Sequence, residues 1–310
     1  MKLKPKDYYK RLCASAIKED NPETLREVFR ENMYAKSLKY ECMYDVCKKG
    51  GFKCYIYLVN NGIEPDITDA EWASRGRNEN QRAIFEHIVE NRPLLNFNQR
   101  DYLCLREACK RQSPTILAKL FDIALKTARS NRSQFESALK TCFHNAASFN
   151  NEANLSFLIE RYFSIREKGV VSDLDESIAK FANTAALKGA DKAAKIISDN
   201  FKVKGVTDAK KLIKKSQSDS FIEELFLSFP LDERHGLLTG MVDKGKNALA
   251  IRLSAPCFTT STELDAEQCA AFIKPVVMAH STDPFSFFNE YDIHIDWLPA
   301  LPIILADAAS

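Results

Sequence analysis

The chain has 310 residues, of which 45% are hydrophobic and 28% charged, and its formal net charge is +2 at pH 7. This composition is ordinary for a folded protein, and the near-neutral charge gives no overall attraction to nucleic acid or to an anionic membrane. No apolar run is long enough for a secretion signal or a membrane span, and an odd number of cysteines, 9, argues against a closed disulfide framework, so we expect a cytoplasmic protein with reduced thiols.

Helical periodicity begins near the N-terminus and continues along the chain. Apolar residues recur at helical spacing in residues 22–32, 82–91 and 114–128, for example, whereas alternating strand-like runs are scarce. Only 10 glycines and 11 prolines are spread over the chain. We therefore predict an all-α protein.

One interval recurs through these predicted helices. A small or apolar residue, which we call the anchor, is followed eleven positions later by a large aliphatic residue. The pairs are Ile17 and Val28, Cys47 and Leu58, Cys109 and Leu120, Ala147 and Leu158, Ala186 and Ile197, and Val242 and Leu253. The stretch around Ala73 fits when a few residues are inserted after Gly76. Since one helix pair cannot bury both of its faces, the interval predicts stacked helix pairs, a solenoid.

Two stretches carry the motifs of a known repeat family. Residues 141–147 read TCFHNAA, and residues 58–66 read LVNNGIEPD. An ankyrin repeat begins its first helix with approximately TPLHxAA and ends its second helix with LLxxGAxxN. The chain thus resembles ankyrin repeats, in degenerate form elsewhere, over about residues 8–255. The resemblance implies about seven to eight units within residues 1–255 and a helical cap over residues 256–310.

The first motif contains Cys142 and His144, which together suggest a nucleophile and its base. Two residues at positions i and i+2 of a helix point in different directions, however, and would not meet. In the ankyrin pattern, Thr141 is the N-cap of the first helix, Cys142 lies in its first turn, and His144 is a structural histidine that bonds neighbouring backbone. We therefore expect structural roles for both residues.

The repeat also accounts for most other candidate sites. Cys42 and Cys104 share the register of Cys142, while Cys47 and Cys109 are anchors, and cysteine serves as a small buried residue at such positions. Zinc-ligand spacing, phosphate-binding loops and protease motifs do not occur in the sequence. We expect no cofactor and no bound metal.

A partner would meet the two residues that follow each anchor, because these are expected to face the concave surface of an ankyrin-like array. In the early units they are repeatedly basic, namely Lys48, Lys49, Arg75, Lys110 and Arg111. Stacking would align them into a column that attracts an acidic patch on a partner protein. The alternative interpretation is a set of solvated charges. A second basic run, residues 210–215, lacks the interleaved aromatic residues that nucleic-acid binding uses.

The predicted function is non-catalytic protein binding by a monomer. Degenerate arrays of this kind resemble ankyrin proteins of viruses and effectors that intracellular bacteria deliver into host cells, so the host cytoplasm is a further expected location. The alternative is a targeting array for an enzyme. Its catalytic part would be residues 256–310 or would lie beyond this chain, and that segment holds the constellation Cys257, Asp265, Cys269, His280, Asp283 and Asp292.

Overall fold

The structure is a computed structural model, and it describes residues 5–30, 34–201, 205–216, 218–246, 248–250 and 252–253. Those residues form helices and turns without any strand, which confirms the predicted all-α class. The polypeptide divides into two compact units, Met1–Leu174 and Asp175–Ser310. The predicted cap at residues 256–310 lies outside the described residues, so the predicted boundary at residue 255 stays a prediction.

The first unit consists of helices joined by short turns. In chain order they are α1 (Lys6–Lys18), α2 (Pro22–Arg30), α3 (Ala35–Lys49), α4 (Phe52–Asn60), α5 (Ile67–Ser74), α6 (Glu79–Asn91), α7 (Gln99–Arg111), α8 (Pro114–Ala128), α9 (Arg132–Ser148) and α10 (Glu152–Glu167). The odd-numbered helices contact one another in order, and so do the even-numbered helices. Each odd-numbered helix also contacts the helix that follows it. The unit therefore has two layers of stacked helix pairs.

The second unit repeats this alternation on a smaller scale. Its helices are α11 (Asp175–Leu187), α12 (Asp191–Asn200), α13 (Gly205–Lys215), α14 (Asp219–Leu227) and α15 (Leu231–Asp243). Helices α11, α13 and α15 contact in that order, and α12 contacts α14. The basic run at residues 210–215 forms the last part of α13.

The anchors whose side chains the structure describes lie in the core of their units. The first unit buries Ile17, Cys47, Ala73, Cys109 and Ala147, and the second unit buries Ala186, with at most 2% exposure at each. The aliphatic residues eleven positions later are buried as well, at Leu58, Leu120, Leu158 and Ile197. The predicted burial of the anchors is therefore confirmed.

The turn inside most pairs has a left-handed residue three positions after the anchor. The positive φ angles are 51° at Asp20, 88° at Gly50, 51° at Asn150, 69° at Gly189 and 77° at Gly245. Glycine adopts this conformation without a steric penalty, and Asp and Asn tolerate it better than other residues with a side chain. The sequence thus supplies a suitable residue at each of these turns.

The first helix of the pair at residues 141–147 is longer than the motif predicts, and the predicted N-cap at Thr141 is wrong. Helix α9 begins at Arg132 with Asn131 at its N-cap, and the Thr141 hydroxyl donates to the Ser137 carbonyl at 3.0 Å inside the helix. The upstream residues Phe135 and Leu139 are buried at helical spacing, so they extend the helix toward its N-terminus.

Candidate functional site

The five predicted basic residues lie at the C-terminal ends of three odd-numbered helices. Lys48 and Lys49 end α3, Arg75 is the C-cap of α5, and Lys110 and Arg111 end α7. Successive odd-numbered helices run in the same direction, because the chain returns through the even-numbered helix between them. Their C-terminal ends therefore share one edge of the layer, and we call these five residues the basic stripe.

Aromatic rings support both ends of the basic stripe. The Lys48 ammonium lies 4.7 Å from the centroid of the Trp72 ring, and the Arg75 guanidinium lies 5.2 Å from the same centroid. At the other end, Lys110 and Arg111 lie 5.6 and 5.1 Å from the centroid of the Phe149 ring, which is itself exposed. These distances fall within the range of cation–π attraction. The rings thus hold the cations in defined positions at the surface.

Only some residues of the basic stripe form ion pairs with neighbouring carboxylates. Lys49 pairs with Asp45 at 2.8 Å, and Lys110 pairs with Glu107 at 2.8 Å, each within its own helix. Lys48, Arg75 and Arg111 make no ion pair with the described part of the chain. Cations at a helix C-terminus also interact favourably with the helix dipole. Three of the five cations therefore remain available for an external anion.

Side chains of the following helix pair fix the backbone under the basic stripe. The Gln81 amide donates to the Lys48 carbonyl at 2.6 Å, and the Asn78 amide donates to the Lys49 carbonyl at 3.3 Å. The Asn151 amide donates to the Lys110 carbonyl at 3.4 Å. The last four carbonyl oxygens of a helix have no N–H donor within the helix. The side-chain amides therefore supply donors that water would otherwise have to provide.

Buried carboxyl groups lie on α5 near the Trp72 end. Asp69 accepts from the Asp66 backbone N–H at 2.9 Å in a reciprocal capping box, and burial raises the pKa of Asp69 to about 6. The Glu71 carboxylate is buried and pairs with Arg100 at 2.5 Å. Arg100 lies in the first turn of α7, where three residues, Arg100–Tyr102, have left-handed backbone angles. The ion pair therefore ties α5 to an irregular turn.

Near the Phe149 end, the buried polar groups are amides instead of carboxyl groups. Asn154 is 0% exposed, and its amide nitrogen lies 3.4, 3.2 and 3.0 Å from the carbonyl oxygens of Ala108, Cys109 and Gln112. The Asn145 amide donates to the Arg106 carbonyl at 2.7 Å. These bonds hold the C-terminal end of α7, which carries Lys110 and Arg111, against α9 and α10.

The Cys142–His144 pair has no arrangement that suggests catalysis. Cys142 is fully buried, and burial and the neighbouring Cys142 raise the pKa of Cys109 well above its ordinary value. The half-buried His144 places its Nε2 3.4 Å from the Ser148 hydroxyl oxygen. The burial of Cys142 agrees with the structural role that we expected.

Several residues of the site were not predicted from the sequence. Trp72 precedes the anchor Ala73 and was not predicted. Phe149 has the register of the basic stripe, two positions after the anchor Ala147, but its contacts with the cations of α7 were not predicted. Asn78 and Gln81 have the spacing of a capping box, which is a signal that the sequence does contain. Nothing local marks Asn154 as a bridge between helices.

Within the described residues, no cluster of three or more His, Cys, Asp and Glu side chains could hold a metal ion, and no helix is long and apolar enough to cross a membrane. No protein-family model, curated protein sequence or solved structure matches the chain.

Proposed function

We propose that the chain is a non-catalytic protein-binding module that captures an acidic segment of a partner through the basic stripe. The observation that carries this proposal is the repeated placement of cations over rings at one edge of the layer, with Trp72 between Lys48 and Arg75 and with Phe149 under Lys110 and Arg111. Carboxylates of a partner would pair with the cations, and its apolar groups would cover the exposed ring of Phe149. Charge complementarity of this kind acts on association rate and specificity.

The proposed architecture is a solenoid of degenerate ankyrin-like repeats. Three features support it: the two layers of stacked helix pairs, the eleven-residue interval between buried positions, and the left-handed turn residue after the anchor. Arrays of this type present extended surfaces for partners. We further propose that the protein acts as a monomer in the cytoplasm, or in a host cytoplasm as an effector.

A non-catalytic role is supported by two buried thiols of the odd-numbered layer, Cys47 and Cys104. Burial raises the pKa of Cys104 to about 12 and that of Cys47 well above the ordinary value. A thiol of this kind is almost entirely protonated at neutral pH and is a poor nucleophile.

The test is a charge reversal in the basic stripe. A variant with Lys48, Lys49, Lys110 and Arg111 changed to Glu is compared with the wild type by proximity labelling in cells, with quantification of each labelled protein. For each labelled protein that is then purified, the association rate is measured at several salt concentrations. We expect the stripe variant to lose the partner and the wild-type rate to fall as salt rises, because salt screens exposed charges.

The matched control carries four reversals on exposed cations of the even-numbered helices and their ends, Lys53, Lys119, Lys126 and Arg129. Circular dichroism and melting temperature should match the wild type for both variants, which separates loss of binding from loss of folding. If the stripe variant and this control label the same proteins to the same extent, the basic stripe is a set of solvated charges and the proposal is wrong.

A further inference from the structure

Two cysteines from neighbouring helices meet beside a cavity at the N-terminal end of the first unit. Cys13 lies on α1 and Cys42 on α3, and these helices contact each other. Both side chains line a cavity of about 330 Å³, together with Lys10, Glu41 and other residues of the two helices. The cavity has room for small polar molecules, so the thiols are reachable even though the bulk of each side chain is buried.

The interaction between the two thiols makes them chemically unequal. Cys42 lowers the pKa of Cys13, while Cys13 and burial raise the pKa of Cys42. The carboxylates of Glu41 and Asp45 act in the opposite direction on Cys13. Two lysines counter Glu41, since Lys6 and Lys10 lie 2.7 and 2.8 Å from its carboxylate oxygens. One thiol thus has the character of an attacking group and the other that of a resolving group.

A second pair of thiols also lies on two neighbouring odd-numbered helices but does not line this cavity. Cys109 on α7 and Cys142 on α9 are both 0% exposed, and the Cys109 thiol donates to the Leu105 carbonyl at 3.2 Å. Burial and the neighbouring Cys142 raise the pKa of Cys109. Neither is among the residues that line the cavity at Cys13. Access to small molecules is therefore the main difference between the two pairs, and the second pair provides an internal control.

We propose that Cys13 and Cys42 form a peroxide-sensitive dithiol site that closes into a disulfide between α1 and α3. The oxidant is a small hydroperoxide, with hydrogen peroxide as the simplest case. This inference rests on the juxtaposition of the two thiols at the cavity and does not depend on the basic stripe.

The chemistry takes place in two steps. First, the Cys13 thiolate attacks one oxygen of hydrogen peroxide, the O–O bond breaks, and the leaving hydroxide takes up the proton that the thiol released, giving water and Cys13 sulfenic acid. Second, the Cys42 sulfur, as its proton departs, attacks the Cys13 sulfur and expels hydroxide, which takes up that proton to form a second water. Two thiols are oxidised to one disulfide while one peroxide is reduced to two waters. A dithiol reagent reverses the change by thiol–disulfide exchange.

The experiment uses the native full-length chain treated with hydrogen peroxide for increasing times. Remaining thiols are alkylated after denaturation, and the peptides are quantified by mass spectrometry. We expect a peptide pair linked through Cys13 and Cys42 that disappears on treatment with dithiothreitol. The two thiols should be lost more than about tenfold faster than Cys109 and Cys142, because oxidation follows access and thiolate character.

Variants distinguish the two roles. Cys42→Ser removes the resolving thiol, so dimedone, which reacts with sulfenic acid, should label Cys13. Cys13→Ser should abolish the linked peptide, whereas Cys109→Ser should leave it unchanged. The proposal is overturned if Cys13 and Cys42 stay reduced in the wild type, if the Cys109 and Cys142 pair oxidises equally fast, or if Cys42→Ser gives no dimedone adduct at Cys13. The wild-type measurement stands even if a variant does not fold.

Discussion

The two ends of the basic stripe rest on buried polar groups of different chemistry. Near Trp72, helix α5 buries the carboxyl groups of Asp69 and Glu71, whereas near Phe149 the helices α9 and α10 bury the amides of Asn145 and Asn154. Desolvation favours the neutral form of the Asp69 carboxyl, so the charge of this group changes with pH. An amide has no such transition. The stacking of helix pairs is thus maintained by one region that responds to pH and by another that does not.

The largest expected effect is in the amide region. Asn154→Leu removes a buried donor from the carbonyls of Cys109 and Gln112, whereas the Ala108 carbonyl keeps the Gln112 N–H at 2.9 Å. Each buried polar group that loses its partner costs about 1–3 kcal/mol, so we expect a loss of several kcal/mol in the free energy of unfolding, measured by urea titration.

The matched control is Asn61→Leu. The Asn61 amide also donates to a helix carbonyl, that of Tyr57, at 2.7 Å, but this residue is exposed and water replaces the bond. If the two variants lose the same stability, Asn154 is not a bridge of the kind described.

The second prediction concerns Asp69→Asn, which replaces a buried carboxyl near Trp72 with an amide. The pKa of Asp69 in the folded chain is about 6, raised from 3.8 by burial. Below the lower value both states carry the proton. Between the two values the unfolded chain ionises Asp69 while the folded chain keeps it protonated, so Asp69 lowers stability progressively as pH rises to about 6 and by a constant amount above it. Asp69→Asn abolishes this loss, and its advantage over the wild type should grow by on the order of 3 kcal/mol between pH 4 and pH 7.

The measurement is unfolding by urea at several pH values for wild type and variant. The carboxylates of Glu41, Glu64 and Glu136 have lowered pKa values and make the opposite contribution, but they are present in both proteins and cancel in the difference. A difference that does not change with pH would contradict the buried, raised carboxyl.

A smaller effect is expected at the turn that precedes the Trp72 end. Gly50 has a φ of 88°, and a Cβ there would lie 2.6 Å from Asn78 Oδ1. Gly50→Ala therefore introduces backbone strain of about 1–2 kcal/mol and also displaces the side chain that bonds the Lys49 carbonyl.

Gly62→Ala separates these two causes. Gly62 has a φ of 76° but has open space where a Cβ would lie. Thermal unfolding should show a loss at both positions and a greater loss at Gly50. Equal losses would mean that the contact with Asn78 contributes nothing.

The smallest expected effect is on the stability of the basic stripe itself. Lys48→Met and Lys110→Met each remove a cation over a ring, and Lys110→Met also removes the ion pair with Glu107. Exposed and half-exposed interactions of this type contribute less than about 1 kcal/mol. Melting temperatures should therefore stay close to the wild type at both ends. A large drop at either end would show that its cation supports the fold, which would weaken the binding proposal.

The sequence was a good guide to local features and a poor guide to distant ones. Helical spacing and the eleven-residue interval predicted the all-α class and the burial of Cys47 and Ala147, because both depend on residues close in the chain. The bonds of Asn154 reach carbonyls 42–46 positions away, and no local pattern encodes them. The predicted N-cap at Thr141 is wrong because the motif of the family marks a helix start there, whereas the buried residues Phe135 and Leu139 extend the helix upstream.

The candidate site was predicted in part. The five basic residues follow directly from the register of the anchors, and the structure places them at helix ends along one edge. The aromatic rings below them were not predicted, because Trp72 serves Lys48 from a neighbouring helix. Contacts between a cation and a ring on different helices depend on how the helix pairs stack, and no local sequence pattern encodes this stacking.

The left-handed residue after the anchor makes the length of this protein adjustable in whole helix pairs. Asp20 and Gly50 both turn the chain from a first helix into a second helix through a residue of positive φ, 51° and 88°. Joining Asp20 directly to Gly51 would delete one first helix and one second helix and leave a left-handed turn residue at the splice. We expect such edits, like duplications made between the same points, to preserve the register of the remaining pairs, so the turn is a natural site for shortening or lengthening the stack of helix pairs by recombination.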